Sequence, residues 1–333
     1  MSHIRGSSVL FLHDPIYIIT NHSLAISVRL ITSLIRTTSD TVIIEPIRGI
    51  QGLNLPELWK YRELIVFLAQ RDISIRYKQT LLGAAWAIIQ PFLSMVVFTI
   101  FFGNLAKISS DGAPYYLFSY AALLPWQYFS TALSSSSNSL VGNAAFLSKI
   151  YFPRLIIPIA AVLPALVDFV IAFAMLLVML FIGNLTQASH FALSWNNILN
   201  AVQASHMTRL SWNILWVAPL LILAMIAALG ASLWLSALNV RYRDIRYVVP
   251  FLIQILMFVS PVVYSSHIVP PSLQAIYNLN VMVGVIDGFR WAILGTNSAP
   301  GAEILLSALV AVIIFVSGAF YFRATEKTFA DVI

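Results

Sequence analysis

LIIPIAAVLPALVDFVIAFAMLLVMLFI, residues 155–182, holds one ionisable side chain, Asp168, in 28 positions. A run of roughly 18 or more apolar residues is long enough to cross the ~30 Å hydrocarbon core as a helix. Lipid offers the backbone no hydrogen-bond partner, so the segment must satisfy its amides internally, as a helix does. The other spanning solution, short strands of alternating polarity in a β-barrel, has no counterpart in the chain.

The same pattern recurs on both sides of this stretch. The 333 residues are 59% hydrophobic and 10% charged, with a mean hydropathy of +0.86. A soluble domain carries roughly 25% charged residues, so this chain has too few to cover a water-facing surface. The apolar blocks predict an all-α integral membrane protein with six spans, at 81–103, 115–139, 155–182, 214–239, 247–264 and 303–322. Pro91, Pro125, Pro158, Pro164 and Pro261 punctuate them. In a bundle these kink helices without forbidding them, because neighbouring groups satisfy the freed carbonyls.

Orientation follows from the basic residues. Sixteen of the nineteen Lys and Arg fall on one side of the predicted spans, and only Lys107, Arg209 and Arg290 on the other. This bias puts both termini in the cytoplasm. The formal charge of +6 therefore sets topology and does not indicate nucleic acid. Cysteine is absent, which removes disulfides, thiolate metal sites and cysteine nucleophiles.

Outside the spans, residues 1–53 read as an N-terminal cytoplasmic extension. Segment 9–19 is apolar but broken by His13, Asp14 and Pro15, and lacks a small-residue cleavage site. Residues 54–80 predict an amphipathic helix. Asn54, Pro56 and Glu57 resemble a helix start, and Leu58, Tyr61, Leu64, Ile65 and Leu68 then share one face. Such a helix suits the headgroup region on the cytoplasmic side. Segment 184–213 contains a near repeat, ASHFALSWNNIL at 188–199 and ASHMTRLSWNIL at 204–215, to which no function is assigned. Between spans five and six, 271–294 is too apolar for a plain loop and too short for a crossing. It predicts re-entrant outer helices on which Asp287 and Arg290, three apart, can pair.

The chain carries no G-x-x-x-x-G-K-[ST] phosphate loop and no paired histidines at metal-binding spacing. No catalytic residue, metal site or cofactor is assigned; if ATP drives the protein, a partner subunit binds ATP–Mg. Ion-coupled carriers place several ionisable groups at mid-membrane. Here Asp168 is the one clearly deep carboxylate. It admits a proton or substrate contact, or a structural acid bonded inside the bundle, and the structural reading is preferred. Tyr115, Tyr116 and Trp126 suit interfacial aromatic belts. Trp86, Tyr128, Phe129, Phe251, Phe258 and Tyr264 lie nearer mid-span, where flat rings either pack a core or stack on sugars.

The cytoplasmic links NAAFLSKIYFPRLIIP (143–158) and NVRYRDIRYVVP (239–250) mix basic residues, tyrosines and a proline in short, shaped elements. They serve either to set topology or to dock a soluble motor. RDISIRYKQTLLGAAWAIIQP (71–91), LLPWQYFSTALSSSSNSLVGNAAFLSKIYFPRLIIP (123–158), ALNVRYRDIRYVVPF (237–251) and FADVI (329–333) closely resemble type-2 ABC transporter permeases. The resemblance is to the exporters of polysaccharides such as O-antigen, teichoic acid and capsular polysaccharide. It runs from about residue 43 to the C-terminus; residues 1–42 and 184–213 depart from it.

That resemblance implies a six-helix half-transporter in the bacterial inner membrane, pairing as a homodimer with a cytoplasmic ABC ATPase. The implied cargo is a glycan on a polyprenyl diphosphate. It further implies that 57–78 is the interface helix, 143–158 the gate and coupling region, and 271–294 the outer gate helices. Arg71, Asp72, Arg76, Tyr77, Lys149, Tyr151, Pro153, Arg154, Arg241, Tyr242, Arg243 and Asp244 are then the expected ATPase-coupling and cytoplasmic-gate residues. Trp86, Tyr128, Phe129, Phe251, Phe258 and Tyr264 are the expected substrate path. Three rivals remain: a type-2 exporter of drugs or simple lipids, a membrane-embedded glycan transferase, and an ion-coupled carrier using Asp168.

Overall fold

Each apolar block becomes a helix in the computed structural model, which describes residues 55–78, 85–147, 152–191, 212–295 and 301–329. All lie in the unit Gly49–Ile333. No strand occurs among the described residues. The expectations for 1–53 and most of the repeat at 188–215 fall outside them, as do Lys149 and Tyr151.

The chain enters through α1 (Leu55–Lys60) and α2 (Arg62–Lys78). α3 (Ala85–Phe98) runs on into a π-helical segment, Thr99–Leu105, where Ala106 N–H reaches back to the Phe101 carbonyl at 2.9 Å. α4 (Tyr115–Gly142) is followed by the short α5 (Ala144–Leu147) and by α6 (Ile156–Val162), which the Leu163–Pro164 step separates from α7 (Pro164–Phe191). A 3-10 turn, Trp212–Trp216, leads into α8 (Val217–Arg241), followed by α9 (Ile245–Val259). The short α10 (Pro271–Tyr277) and α11 (Val281–Leu294) precede α12 (Ala302–Thr325).

Among the described residues, four helical stretches are long and apolar enough to cross a membrane: Ala85–Leu105, Ile156–Ile182, Trp212–Arg241 and Ala302–Thr328. The two other predicted spans differ for separate reasons. α4 has 28 residues, roughly 40 Å at about 1.5 Å per residue, so it has the length. Its C-terminal half carries the polar run Ser134–Ser139. The structure shows why that is tolerated: α4 is the central helix, packed against α3, α6, α7, α8, α9 and α11. A helix enclosed by others needs no lipid-compatible face all round. α9 is apolar but stops after 15 residues, and 260–264 continue as turns.

Polar contacts and small residues set the packing of α4, α8 and α12, as in other apolar bundles where helices lack a hydrophobic drive to associate. Ser136 Oγ lies 3.0 Å from the Pro158 carbonyl and 2.8 Å from Ser232 Oγ, joining α4 to α6 and α8. Asn239 Nδ2 donates to the Ser137 carbonyl and to Asn138 Oδ1, each at 3.1 Å. Where α8 crosses α12, Gly230 faces the Phe315 backbone so closely that a Cβ would sit 2.6 Å from its Cα, and Gly318 meets the Gly230 carbonyl in the same way. Beside this crossing Trp234 and Tyr321 stack at 4.1 Å.

Two apolar cores result. The larger surrounds α4 and includes Phe118, Tyr120 and Leu124 with Phe169, Leu176 and Phe289. Trp126, at 4% exposure, belongs to it, and Tyr115 gives its hydroxyl to the Val263 carbonyl at 2.6 Å. Neither is therefore an outward-facing belt residue, because the central helix turns both toward neighbours. The smaller core joins Leu58 and Leu68 to Phe152, Leu155, Phe322 and Phe329, with Tyr61, Leu64 and Ile65 packed at its edge. The predicted stripe of α1 and α2 thus faces protein. The sequence showed a stripe but not the small core that receives it, assembled from segments over 260 residues apart.

Candidate functional site

α2 brings Arg71, Asp72, Arg76 and Tyr77 along the bundle, packed against α6 and α7. Arg71 donates through Nε and a terminal nitrogen to Asp72 Oδ1, at 2.9 and 2.8 Å, and from that same terminal nitrogen to Asn143 Oδ1 at 2.9 Å. Asn143 caps the end of α4, so Arg71 ties α2 to the central helix. One turn on, the Arg76 guanidinium and the Tyr77 hydroxyl bind the two oxygens of Asp168 on α7. Burial, followed by the carboxylate alongside, holds the Tyr77 phenol well above its ordinary range. It therefore stays protonated and donates to Asp168. The lone acid of the apolar stretch is half of an ion pair between the amphipathic segment and α7. The periodicity of either segment alone gives no hint of this.

A cavity of about 300 Å³ opens beside this pair, between α2, α3, α4 and α7. Trp86 and Tyr128, two of the expected substrate-path aromatics, line it with Arg76, Tyr77 and Asp168. Gln90, Gln127, Thr131 and Phe169 complete the polar and aromatic part of the wall. Sequence reading passed over these four because single amides, hydroxyls and rings on apolar helices carry no pattern. Tyr128 is 2% exposed, and its hydroxyl has no hydrogen-bond partner among the described residues.

The other expected path aromatics lie elsewhere. Phe129 is buried against Trp126, ring centroids 5.7 Å apart. Phe251 and Phe258 project from α9 at 62% and 55% exposure. Tyr264 donates to the Phe258 carbonyl at 3.1 Å, and its hydroxyl lies 3.3 Å from that of Tyr277. The six aromatics do not share one cavity.

The expected coupling residues also divide. Pro153 is buried. Arg154 is turned inward: its backbone N–H donates to Glu326 Oε1 at 3.0 Å, its guanidinium binds the Glu326 carbonyl, and it stands over the Phe329 ring at 5.9 Å. Arg241, Tyr242, Arg243 and Asp244 are all exposed in the link from α8 to α9. There Arg241 lies over Tyr242 at 5.6 Å, and Arg246 over Tyr247 at 4.9 Å. A surface of cations on aromatic rings, with its charges free of internal carboxylates in the contacts above, is chemically suited to an acidic or aromatic partner.

At the opposite end Arg290, on α11, is 3% exposed. It donates to the carbonyls of Phe118, Tyr264 and Val262 at 3.4, 3.2 and 3.1 Å and lies 3.5 Å from the centre of the Phe118 ring. Asp287 sits 3.6 Å away, the i,i+3 pair the sequence predicted. Asp111 takes a hydrogen bond from Ser265 at 2.6 Å, tying the 106–114 turn to the segment after α9.

Apolar helices around a polar-threaded centre, a docked amphipathic segment and an exposed basic link define the class as a helical membrane protein. The sequence model for the ABC-2 type transporter matches residues 63–294, and the chain belongs to that family. It is similar to the O-antigen export system permease protein RfbA of Myxococcus xanthus, 26% identical over 278 residues, or 83% of this chain and 97% of that protein. The Klebsiella pneumoniae protein of the same name is 25% identical over 273 residues, 81% of this chain and 95% of the relative. The polysialic acid transport protein KpsM of Escherichia coli is 22% identical over 258 residues, 77% of this chain and 91% of that protein.

Proposed function

We propose that this chain is the permease subunit of an ATP-driven ABC exporter that moves a lipid-linked polysaccharide across the cytoplasmic membrane of a bacterium. One observation carries the reading: permeases named for O-antigen and polysialic acid export align with this chain over nearly their whole length. The same observation favours a glycan over a drug or simple lipid. In this reading the chain crosses the membrane six times, α4 and α9 joining the four apolar helices, with both termini cytoplasmic. Two copies form the channel, and α10 and α11 are its outer gate helices. A separate ABC ATPase supplies the energy and holds ATP–Mg.

The geometry supports a division of labour among the basic residues. Arg71, Arg76 and Arg154 bind groups within the chain, so they transmit movement between α2, α4, α7 and the C-terminal turn. Arg241 and Arg243, exposed at the same end, meet the ATPase. The test is co-purification together with a deletion strain. A nucleotide-binding subunit should come down with the tagged chain, and cells lacking the chain should accumulate lipid-linked glycan in the cytoplasm. Undiminished delivery of glycan to the surface without this chain would refute the reading.

A further inference from the structure

Residues 212–240 hold no Asp, Glu, Lys, Arg or His, so α8 and the 3-10 turn ahead of it form one uncharged helical stretch that ends at Arg241. The 25 residues of α8 and the 5 of the turn extend over roughly 45–50 Å, at about 1.5 and 2.0 Å per residue. A bilayer with its headgroup regions is about 40–45 Å thick. With Arg241 among the headgroups of one leaflet, the turn reaches those of the other.

The turn is built for that level. Trp212, Leu215 and Trp216 are 87%, 66% and 52% exposed, whereas Ile214 packs at the edge of the larger core and Val217 is buried within it. Trp216 is steadied by Trp291 of α11, ring centroids 6.2 Å apart and nearly perpendicular. Most of the turn is SWNIL (211–215), from the second copy of the near repeat to which the sequence assigned no function. We propose that Trp212–Trp216 is a membrane anchor, its exposed face seated in the lipid headgroup region of the leaflet opposite the basic link.

Three observations favour lipid over a protein partner or a second copy of this chain. The exposed face continues at Ile222 along a stretch, Trp212–Arg241, apolar enough to cross a membrane, so it is the margin of a lipid-facing surface. Protein interfaces carry a polar rim, and no charge lies anywhere between 212 and 240. An indole joins an apolar body to one N–H donor, which suits the level where hydrocarbon meets carbonyls and phosphates. Depth in a bilayer is set by such anchors and by helix packing. The turn thus works against Arg241 and fixes the height at which the 241–247 link leaves the membrane.

The test uses the full chain in vesicles of phosphatidylethanolamine and phosphatidylglycerol. Because cysteine is absent, Leu215→Cys or Ile222→Cys, both exposed positions, gives a single thiol for an NBD fluorophore. A lipid with a nitroxide on its headgroup should quench 215 more than one with a nitroxide near its acyl end. At 222, about 10 Å further along α8, the order should reverse. Quenching at 215 by aqueous iodide as strong as that of free NBD-cysteine, by neither lipid, or best by the deep nitroxide would overturn the proposal. Trp212→Ser/Trp216→Ser should shift the shallow-to-deep quenching ratio at 222, and an unchanged ratio would show that the rings anchor nothing. If the double change lowers the melting temperature, Trp212→Ser alone, which keeps the Trp216–Trp291 contact, is judged by the same ratio. None of these readouts involves export, so failure of the anchor leaves the exporter reading standing, and a refuted exporter reading leaves the anchor.

Discussion

Asp168, read alone, leaves two roles open, a proton contact and the preferred one of a structural acid bonded inside the bundle, and names a partner for neither. In the structure its oxygens are bound by Arg76 and Tyr77. Asp168→Asn should therefore act through docking of α2. Export falls, and the Arg76→Gln/Asp168→Asn pair is less impaired than the product of the two single changes. A double-mutant cycle on melting should give a coupling of about 1 kcal/mol, the upper end for partly exposed ion pairs. Fully additive effects would show that the contact does not bear on stability. Arg290 makes the opposite case. It binds three carbonyls from two other segments through one planar fork, and a lysine ammonium cannot reproduce that geometry. Arg290→Lys should lower the melting temperature nearly as much as Arg290→Met, although it keeps the charge. A lysine variant as stable as the parent would reduce Arg290 to a counter-charge for Asp287.

At the scale of elements, the α8–α12 crossing is set by two glycines. A Cβ on Gly230 would meet backbone atoms of Phe315 at 2.6 Å, and the backbone cannot rotate away as a side chain can. Gly230→Leu should destabilise the bundle by about 3 kcal/mol or more, the upper part of the range for overpacking. The variant should elute as aggregate in detergent size-exclusion, while the same change at Gly142, where an added Cβ meets nothing, is tolerated at the level of packing. The amphipathic segment was legible as an element because its stripe is local. Its destination was not, because the second core draws on α6, α8, α12 and the C-terminal turn. Likewise, the run Ser134–Ser139 is visible in the sequence, but not that Ser136, Ser137 and Asn138 within it meet α6 and α8.

For the whole molecule, the polar ties between segments gather toward two ends joined by α4. The basic end carries internal ties at Arg71, Arg76 and Arg154 and an exposed link at 241–247; the other end is pinned by Arg290. The exporter reading makes the exposed link the contact with the motor. Arg241→Ala/Arg243→Ala should leave the chain folded, since neither guanidinium holds another segment in the contacts described, yet lower glycan export at least tenfold in assays of surface polymer. ATP hydrolysis by the complex would lose its dependence on cargo. Export at the parental rate would remove both arginines from the coupling role.

Length and hydropathy alone established a helical membrane protein, because the cost of burying unpaired backbone amides in lipid leaves little choice over 20 or so apolar residues. The motif segments at 71–91, 123–158 and 237–251 pointed to the family for the same local reason: they are contiguous. What only the tertiary structure decided is which polar groups meet. Asp168 with Arg76 and Tyr77, Arg154 with Glu326, Arg290 with the turn after α9, and the cavity wall shared by α2, α3, α4 and α7 all join residues distant in the chain. Such pairings depend on helix rotation and crossing, which side-chain volumes and close-approach glycines fix and which no local periodicity records.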